Sequence, residues 1–274
     1  MNQYLRLWNV QGKRKNDMKH GDFSELARYY SSRPGYSLQA LSVIKEFICS
    51  SLEKKSLLVA DVGAGTGKLT ENLSQLGLEG YAIEPNDKMR KVGIELNKCK
   101  KFKWIKGSAE VTTLGDNSVD WILMGSSFHW TDAPAALAEF NRVLRPNGFF
   151  TAIWNPRDIE SSEFHQSIED KIKQIVPELC RVSSGSANNM KDMNKKLLNT
   201  PYFNNLFFVE APFEVYMSQE RYLNVWRSVN DIQVQAGSER FNKILEMIQR
   251  EIKELDSIMV PYKARAWTVQ STKK

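Results

Sequence analysis

Short apolar runs closed by turn residues alternate with amphipathic stretches over most of the first 155 positions. The run Leu57 to Val62 stops in a glycine turn and reads as a buried parallel strand. KLTENLSQLG follows, with Leu69, Leu73 and Leu76 at helical spacing and a stop at Gly77. YAIEPN then forms a second strand closing on Glu84, and NDKMRKVGIEL predicts a helix with Met89, Val92 and Leu96 turned inward. A third strand is expected from Phe102 to Lys106, a turn at Asp116-Asn117-Ser118, and a fourth strand from Val119 to Met124. PAALAEFNRVL places Leu137, Phe140 (or Asn141) and Leu144 on one helix face, and FFTAIW supplies a fifth strand. Strands alternating with helices argue an α/β fold with a mainly parallel sheet.

The pattern changes after residue 156. Phe164, Ile168, Ile172 and Ile175 recur at three to four residues up to Pro177, RVSSGSANN is a loop, and MKDMNKKLLN is a second helix. Leu206 to Met217 is a long strand and Met259 to Val269 another. Between them lie two helical stretches, QERYLNVWRSV and SERFNKILEMIQREIKELD, the second with Phe241, Ile244, Leu245, Ile248, Ile252 and Leu255 as an apolar stripe. Either the stripe packs on its own domain beside a lid over the sheet's carboxyl edge, or it is a dimerisation surface. A single stripe favours the first reading.

The chemistry concentrates in Asp61-Val-Gly63-Ala64-Gly65-Thr-Gly67. Glycines at alternate positions let main chain lie against a ligand, and an acid at the tip of the next strand, Glu84, can take two ribose hydroxyls. A dinucleotide fingerprint needs a third small residue where Lys68 stands. A phosphate loop needs Gly and Ser or Thr where Val62 and Leu69 stand. What remains is an acid-x-Gly-x-Gly-x-Gly turn with a downstream acid, with a purely structural turn as the bland alternative.

Composition adds limits. The 274 residues suffice for one large domain, or one with a small cap. No window reaches the roughly 18 apolar residues a membrane span needs. MNQYLRLWNV is too short and polar for a secretory leader, and three scattered cysteines suit a reducing compartment, so a cytoplasmic location is expected. The cysteines match no zinc-ligand spacing, and no metal is expected. The net charge of +6 gathers at residues 13–20 and 191–196, where lysines mix with Asp and Asn and lack interleaved aromatics. A solvated surface is favoured there over a nucleic-acid face.

The turn resembles motif I of the class I S-adenosylmethionine (SAM) methyltransferases. The run "FHW.D…AL.E..RVL.P.G.F…W", with DFSELARYYSSRPGYS upstream, resembles the methyltransferase type 11 group, in its trans-aconitate-methyltransferase-like branch. The likeness is close over residues 22 to 155 and holds in outline beyond. Asn147 stands where that family often has Gly, a mild departure because Asn tolerates the same positive φ. Asp22 and Glu25 fit a capping box for an aromatic N-terminal helix. The resemblance implies a Rossmann-like sheet of strand order 3-2-1-4-5-7-6 with strand 7 antiparallel and helical lid elements. It divides the chain into an N-terminal segment and lid helix (1–36), a SAM-binding core (37–156), and a part completing the sheet with inserted cap helices (157–274).

It also implies site residues. Gly63, Ala64, Gly65 and Gly67, with Asp61, would pass the methionine moiety, and Glu84 would hold the ribose. Pro85 and Met89 would flank the adenine, Ser108, Ala109 and Glu110 would meet its edge, and Gly125, Ser126 and Phe128 would border it at strand 4. Tyr29 and Arg33 would close over the methionine end; the bland alternative is a half-buried aromatic and a surface charge. His129 is the candidate general base, with pocket framing as the alternative; His20 and His165 sit in polar stretches expected to be exposed and receive no role. Aromatic content suggests Trp130, Tyr202, Tyr222, Trp226 and Tyr262 for the acceptor. The expected activity is methyl transfer by in-line displacement to a small-molecule carboxylate or hydroxyl in a lidded pocket. The alternatives are an RNA or protein methyltransferase, or a non-catalytic protein that binds SAM or its demethylated product.

Overall fold

The computed structural model describes residues 27–97, 101–180 and 190–274. The capping box at Asp22 and Glu25, the basic run with His20, Cys99 and the loop at 181–189 lie outside them.

Seven strands form one sheet in the order β3-β2-β1-β4-β5-β7-β6. They are β1 (Leu58–Val62), β2 (Glu79–Ile83), β3 (Phe102–Ile105), β4 (Val119–Gly125), β5 (Leu144–Trp154), β6 (Phe203–Met217) and β7 (Ile258–Ser271). The first five pair in parallel, and β7 runs antiparallel to both β5 and β6. This is the expected order. Strand ends differ from the expectation by one to three residues at the hairpin.

Side chains alternate across the sheet because successive Cβ atoms point to opposite faces. On one face Val59, Trp121, Leu123, Phe149 and Ile153 pack with Leu41, Ile44 and Ile48 of α2 (Leu38–Ser51) and Leu69 and Leu73 of α3 (Lys68–Gln75). On the other, Ala60, Ile122, Met124, Phe150 and Trp154 pack with Leu137 and Phe140 of α5 (Ala133–Val143) and Met193 and Leu197 of α7 (Met193–Leu198). A buried polar chain crosses the sheet centre, where Trp121 Nε1 donates to Thr151 Oγ1, itself 2.8 Å from Thr268 Oγ1. At the amino edge, Asp120 accepts from Leu58 N at 2.9 Å and from Arg145 at 3.0 Å, and pairs with Lys54. Asn147, within β5, adopts φ 60°, a conformation that Asn and Gly both tolerate.

Sequence periodicity misjudged one face. In α4 (Asp87–Leu96) Leu96 is 55% exposed, and Gly93 faces inward with Met89. A Cβ on Gly93 would lie 2.2 Å from Trp104, so that ring, absent from the helix's own pattern, claims the space.

A third apolar cluster shares no residue with the two that sandwich the sheet. It joins Ile168 and Ile172 of α6 (Glu163–Ile175), Tyr222 and Trp226 of α8 (Gln219–Arg227), and Phe241, Ile244, Ile248 and Ile252 of α9 (Asn230–Ile252). Met217, Ile258, Val260 and Tyr262, at the far end of the β6–β7 hairpin, complete it. The apolar stripe of α9 is therefore covered within the chain. The helix is broken at Gly237 (φ 71°, ψ 167°), and its first part, 230–236, extends a stretch that the sequence pattern leaves out. His165 is buried at 2% exposure, not exposed as expected. It lies three residues before Ile168 on the inward face of α6, and burial, with the Arg157 charge added, lowers its pKa to about 4.

Candidate active site

The glycine turn is built by β2. Gly63 N and Ala64 N both donate to Ile83 O, at 2.8 and 3.0 Å, folding the chain over the end of the neighbouring strand. Gly63 takes φ 70°, and a Cβ there would meet Ser127 Oγ at 2.8 Å. Gly67 takes φ 83°, and its Cβ would meet Asn97 Nδ2 at 2.2 Å, so helix packing alone requires that glycine.

Two carboxylates flank the turn. Glu84 Oε2 accepts from Gly65 N and its Oε1 from Asn86 N, both at 2.8 Å, which fixes the group at the tip of β2. Burial raises its pKa despite those two donors. Asp61 is fully buried on the α3 side of β1; Thr70 Oγ1 donates to its Oδ2 at 2.6 Å, and its Oδ1 has no partner among the described residues. Burial pushes its carboxyl up to about 7, and the nearby Glu84 charge adds to the rise. An orphaned buried carboxylate oxygen suits a cationic ligand group.

The sheet's carboxyl edge closes one side of a cavity of about 730 Å³. Small-molecule sites span ~300–1,000 Å³. Asp61, Gly63, Ala64, Gly65, Glu84, Pro85 and Met89 line it, as do Ser108, Ala109, Glu110, Gly125 and Ser126. Arg33, Trp130 and Tyr262 do so too. The structure thus gathers most of the expected residues on one wall.

Several are not on that wall. Gly67 faces Asn97 and Trp104. Phe128 is in the core, 5.3 Å from the Phe150 ring. Tyr202 packs against the sheet cluster near α7, and Tyr222 and Trp226 are buried in the third cluster. Aromatic content gives no direction, so it cannot separate a core ring from a pocket ring. Tyr30, not Tyr29, lines the cavity. His129 also stays off the wall: its Nδ1 accepts from Trp154 Nε1 at 3.4 Å, which leaves the proton of a neutral ring on Nε2. Arg33 lines the cavity and is not a bare surface charge. Its Nε and Nη2 donate to Ser228 Oγ and O, each at 2.8 Å, and its guanidinium sits 4.1 Å from the Tyr30 ring centroid.

Other cavity residues escaped the sequence. Tyr36 donates from its hydroxyl to Ser126 Oγ at 3.1 Å; it stands in the Arg-Pro-Gly-Tyr turn, so the motif already held the signal. Asn155 and Arg157 after β5, Glu169 in α6, and Asn230 and Asp231 at the start of α9 line the far side. None follows a periodic pattern that marks it.

Comparison with known proteins places this geometry. Residues 60–152 match the model of a methyltransferase domain. An uncharacterized methyltransferase of Mycobacterium tuberculosis is 35% identical over 144 residues, 53% of this chain and 56% of that protein, so the match spans just over half the relative's length. An uncharacterized methyltransferase of Schizosaccharomyces pombe is 29% identical over 240 residues, 82% of this chain and 86% of that protein. A solved structure described as a type II methyltransferase from Anaeromyxobacter dehalogenans superposes with TM-score 0.60 at 18% identity, over 86% of this chain and 97% of the other, and shares the fold.

Proposed function

We propose that the chain transfers a methyl group from SAM to a small-molecule acceptor held in the same cavity, a reading supported by the methyltransferase-domain match over residues 60–152 and by the sheet order. The observation that carries this reading is the cavity wall itself, where the glycine turn, Glu84 and the half-satisfied Asp61 stand together. Glu84 keeps lone pairs free beyond its two backbone bonds and takes the ribose hydroxyls. Asp61 faces the positive methionine end. Pro85 and Met89 flank the adenine, with Ala109 and Glu110 at its edge. Among the described residues, 27–36 and the helices between β6 and β7 act as the lid over a core at 37–156.

SAM supplies a methyl group already activated on a sulfonium. What the chain adds is position: the acceptor's nucleophilic atom must lie in line behind the methyl, and water must be kept out. An aromatic and apolar lining of Tyr30, Tyr36, Val229 and Tyr262 suits a small acceptor. A carboxylate acceptor needs no base, and the reading assigns His129 no proton transfer.

Calorimetric titration with SAM tests the cofactor half. Glu84→Ala loses roughly 1.5–3 kcal/mol of binding, the worth of hydrogen bonds to a charged group; undiminished affinity contradicts the placement. Incubating a metabolite extract with methyl-labelled SAM tests the transfer half, and no labelled product from any fraction counts against it.

A further inference from the structure

The cavity lining holds a guanidinium that is paired only loosely, to Glu169. Arg157 is 12% exposed, and its contact with Glu169 Oε1 is 3.8 Å, beyond hydrogen-bond reach. It lies 4.0 Å from the Trp226 ring centroid, so an aromatic face holds it flat from beneath. Among the described residues no N–H of Arg157 makes a hydrogen bond. Two amides stand on the same wall. Asn155 Nδ2 donates to Gly35 O at 2.7 Å, which fixes the amide's orientation and leaves its buried Oδ1 as an unpartnered acceptor. Asn230 is 6% exposed, and both its Oδ1 and Nδ2 are unpartnered.

Native proteins rarely bury polar groups unsatisfied, and two such amides beside a guanidinium without a hydrogen bond describe the complement of a ligand. A planar guanidinium selects a carboxylate or similar anion. Asn155 Oδ1 can only accept, so the ligand must bring an O–H or N–H to it. Glu169 and Asp231 line the same space and add negative charge, which disfavours a second unpaired anion and favours a donor.

We propose that the acceptor is a hydroxy acid or an amino acid, its carboxylate held by Arg157 and its hydroxyl or amine by Asn155, with Asn230 beside them. This rests on the methyl-transfer reading and narrows it to a class of acceptor.

The test is calorimetric titration of the protein saturated with S-adenosylhomocysteine. The probes run from lactate to citrate and from alanine to tryptophan, each paired with its amide and with the counterpart lacking the hydroxyl or amine. The expected result is that at least one hydroxy or amino acid binds, and that both of its counterparts bind at least about tenfold more weakly. Arg157→Gln removes the preference for the acid over its amide, while S-adenosylhomocysteine still binds. Arg157→Lys, which keeps the charge without the fork, loses part of it. Asn155→Ala independently weakens the hydroxy or amino acid toward the affinity of its unsubstituted counterpart. Equal binding of acid and amide, an unchanged preference in Arg157→Gln, or no probe bound by the wild-type protein overturns the proposal. Failure of S-adenosylhomocysteine itself to bind counts instead against the cofactor reading.

Discussion

Asp61 carries two consequences of one buried oxygen. In the unliganded protein its carboxyl is pushed up to about 7, burial being the main cause. Its folded pKa lies above the unfolded one, so ionisation costs stability through a window from about 4 to about 7, in full above it and not below it. Asp61→Asn removes that cost. The unliganded variant gains on the order of 2–4 kcal/mol over wild type at pH 8 and nothing at pH 4; an equal difference at the two pH values refutes the assignment. Ligand binding feels the same group with the opposite sign. A cationic ligand end favours the carboxylate, so SAM binding near neutrality expels a proton and weakens by up to about tenfold per unit as pH falls below 7. Calorimetry in buffers of different ionisation heat reads that proton directly, and no proton release at pH 6.5 removes Asp61 from the cofactor site.

At the scale of elements, the β1–α3 turn separates two roles that look alike in the sequence. Gly65 lines the cavity at φ 59°, with only Met89 Cε near its missing Cβ, at 3.4 Å. Gly67 starts α3 at φ 83° against Asn97. Both alanine variants lose roughly 1–2 kcal/mol of stability to left-handed backbone strain. Only Gly65→Ala also weakens SAM; equal SAM affinity in the two variants would mean that the turn does not discriminate. The strands, the turn and the acid at β2 were legible because buried strands and left-handed glycines leave compositional marks; the strand order came from the family resemblance. The inward face of α6 was legible too, since His165, Ile168 and Ile172 keep helical spacing, yet polar neighbours hid the histidine. Arg157 and Asn155 were not legible: they follow β5, where direction is set by Gly35, Trp226 and the β7 bridge to Tyr262, none of them local to those two in sequence. For the same reason the aromatic residues Tyr222 and Trp226 were misdirected toward the pocket, although Trp226 does reach it by holding Arg157.

Across the whole molecule, the segment 30–36 ties the inserted helices to the sheet edge. Arg33 holds Ser228, Arg221 Nε donates to Ser32 O at 3.1 Å, and Asn155 holds Gly35. Arg33→Ala frees the buried Ser228 carbonyl and costs about 1–3 kcal/mol locally. Hydrogen exchange then accelerates at residues 29–36 and in α8 while the strands stay protected; unchanged exchange there means the tie bears no load. The third apolar cluster lies beyond that tie, separate from the two that sandwich the sheet, and the β6–β7 hairpin is long enough to feed both regions: Phe203 and Val269 at one end, Met217 and Val260 at the other. Interiors that share no buried core residue and meet through a small patch at Ala211 and Ala264 accumulate substitutions under partly separate constraints. A lineage built on this frame can vary its helical half while the half that carries the glycine turn is kept, so sequence drift is expected to run faster on one side of the hairpin's midpoint than on the other.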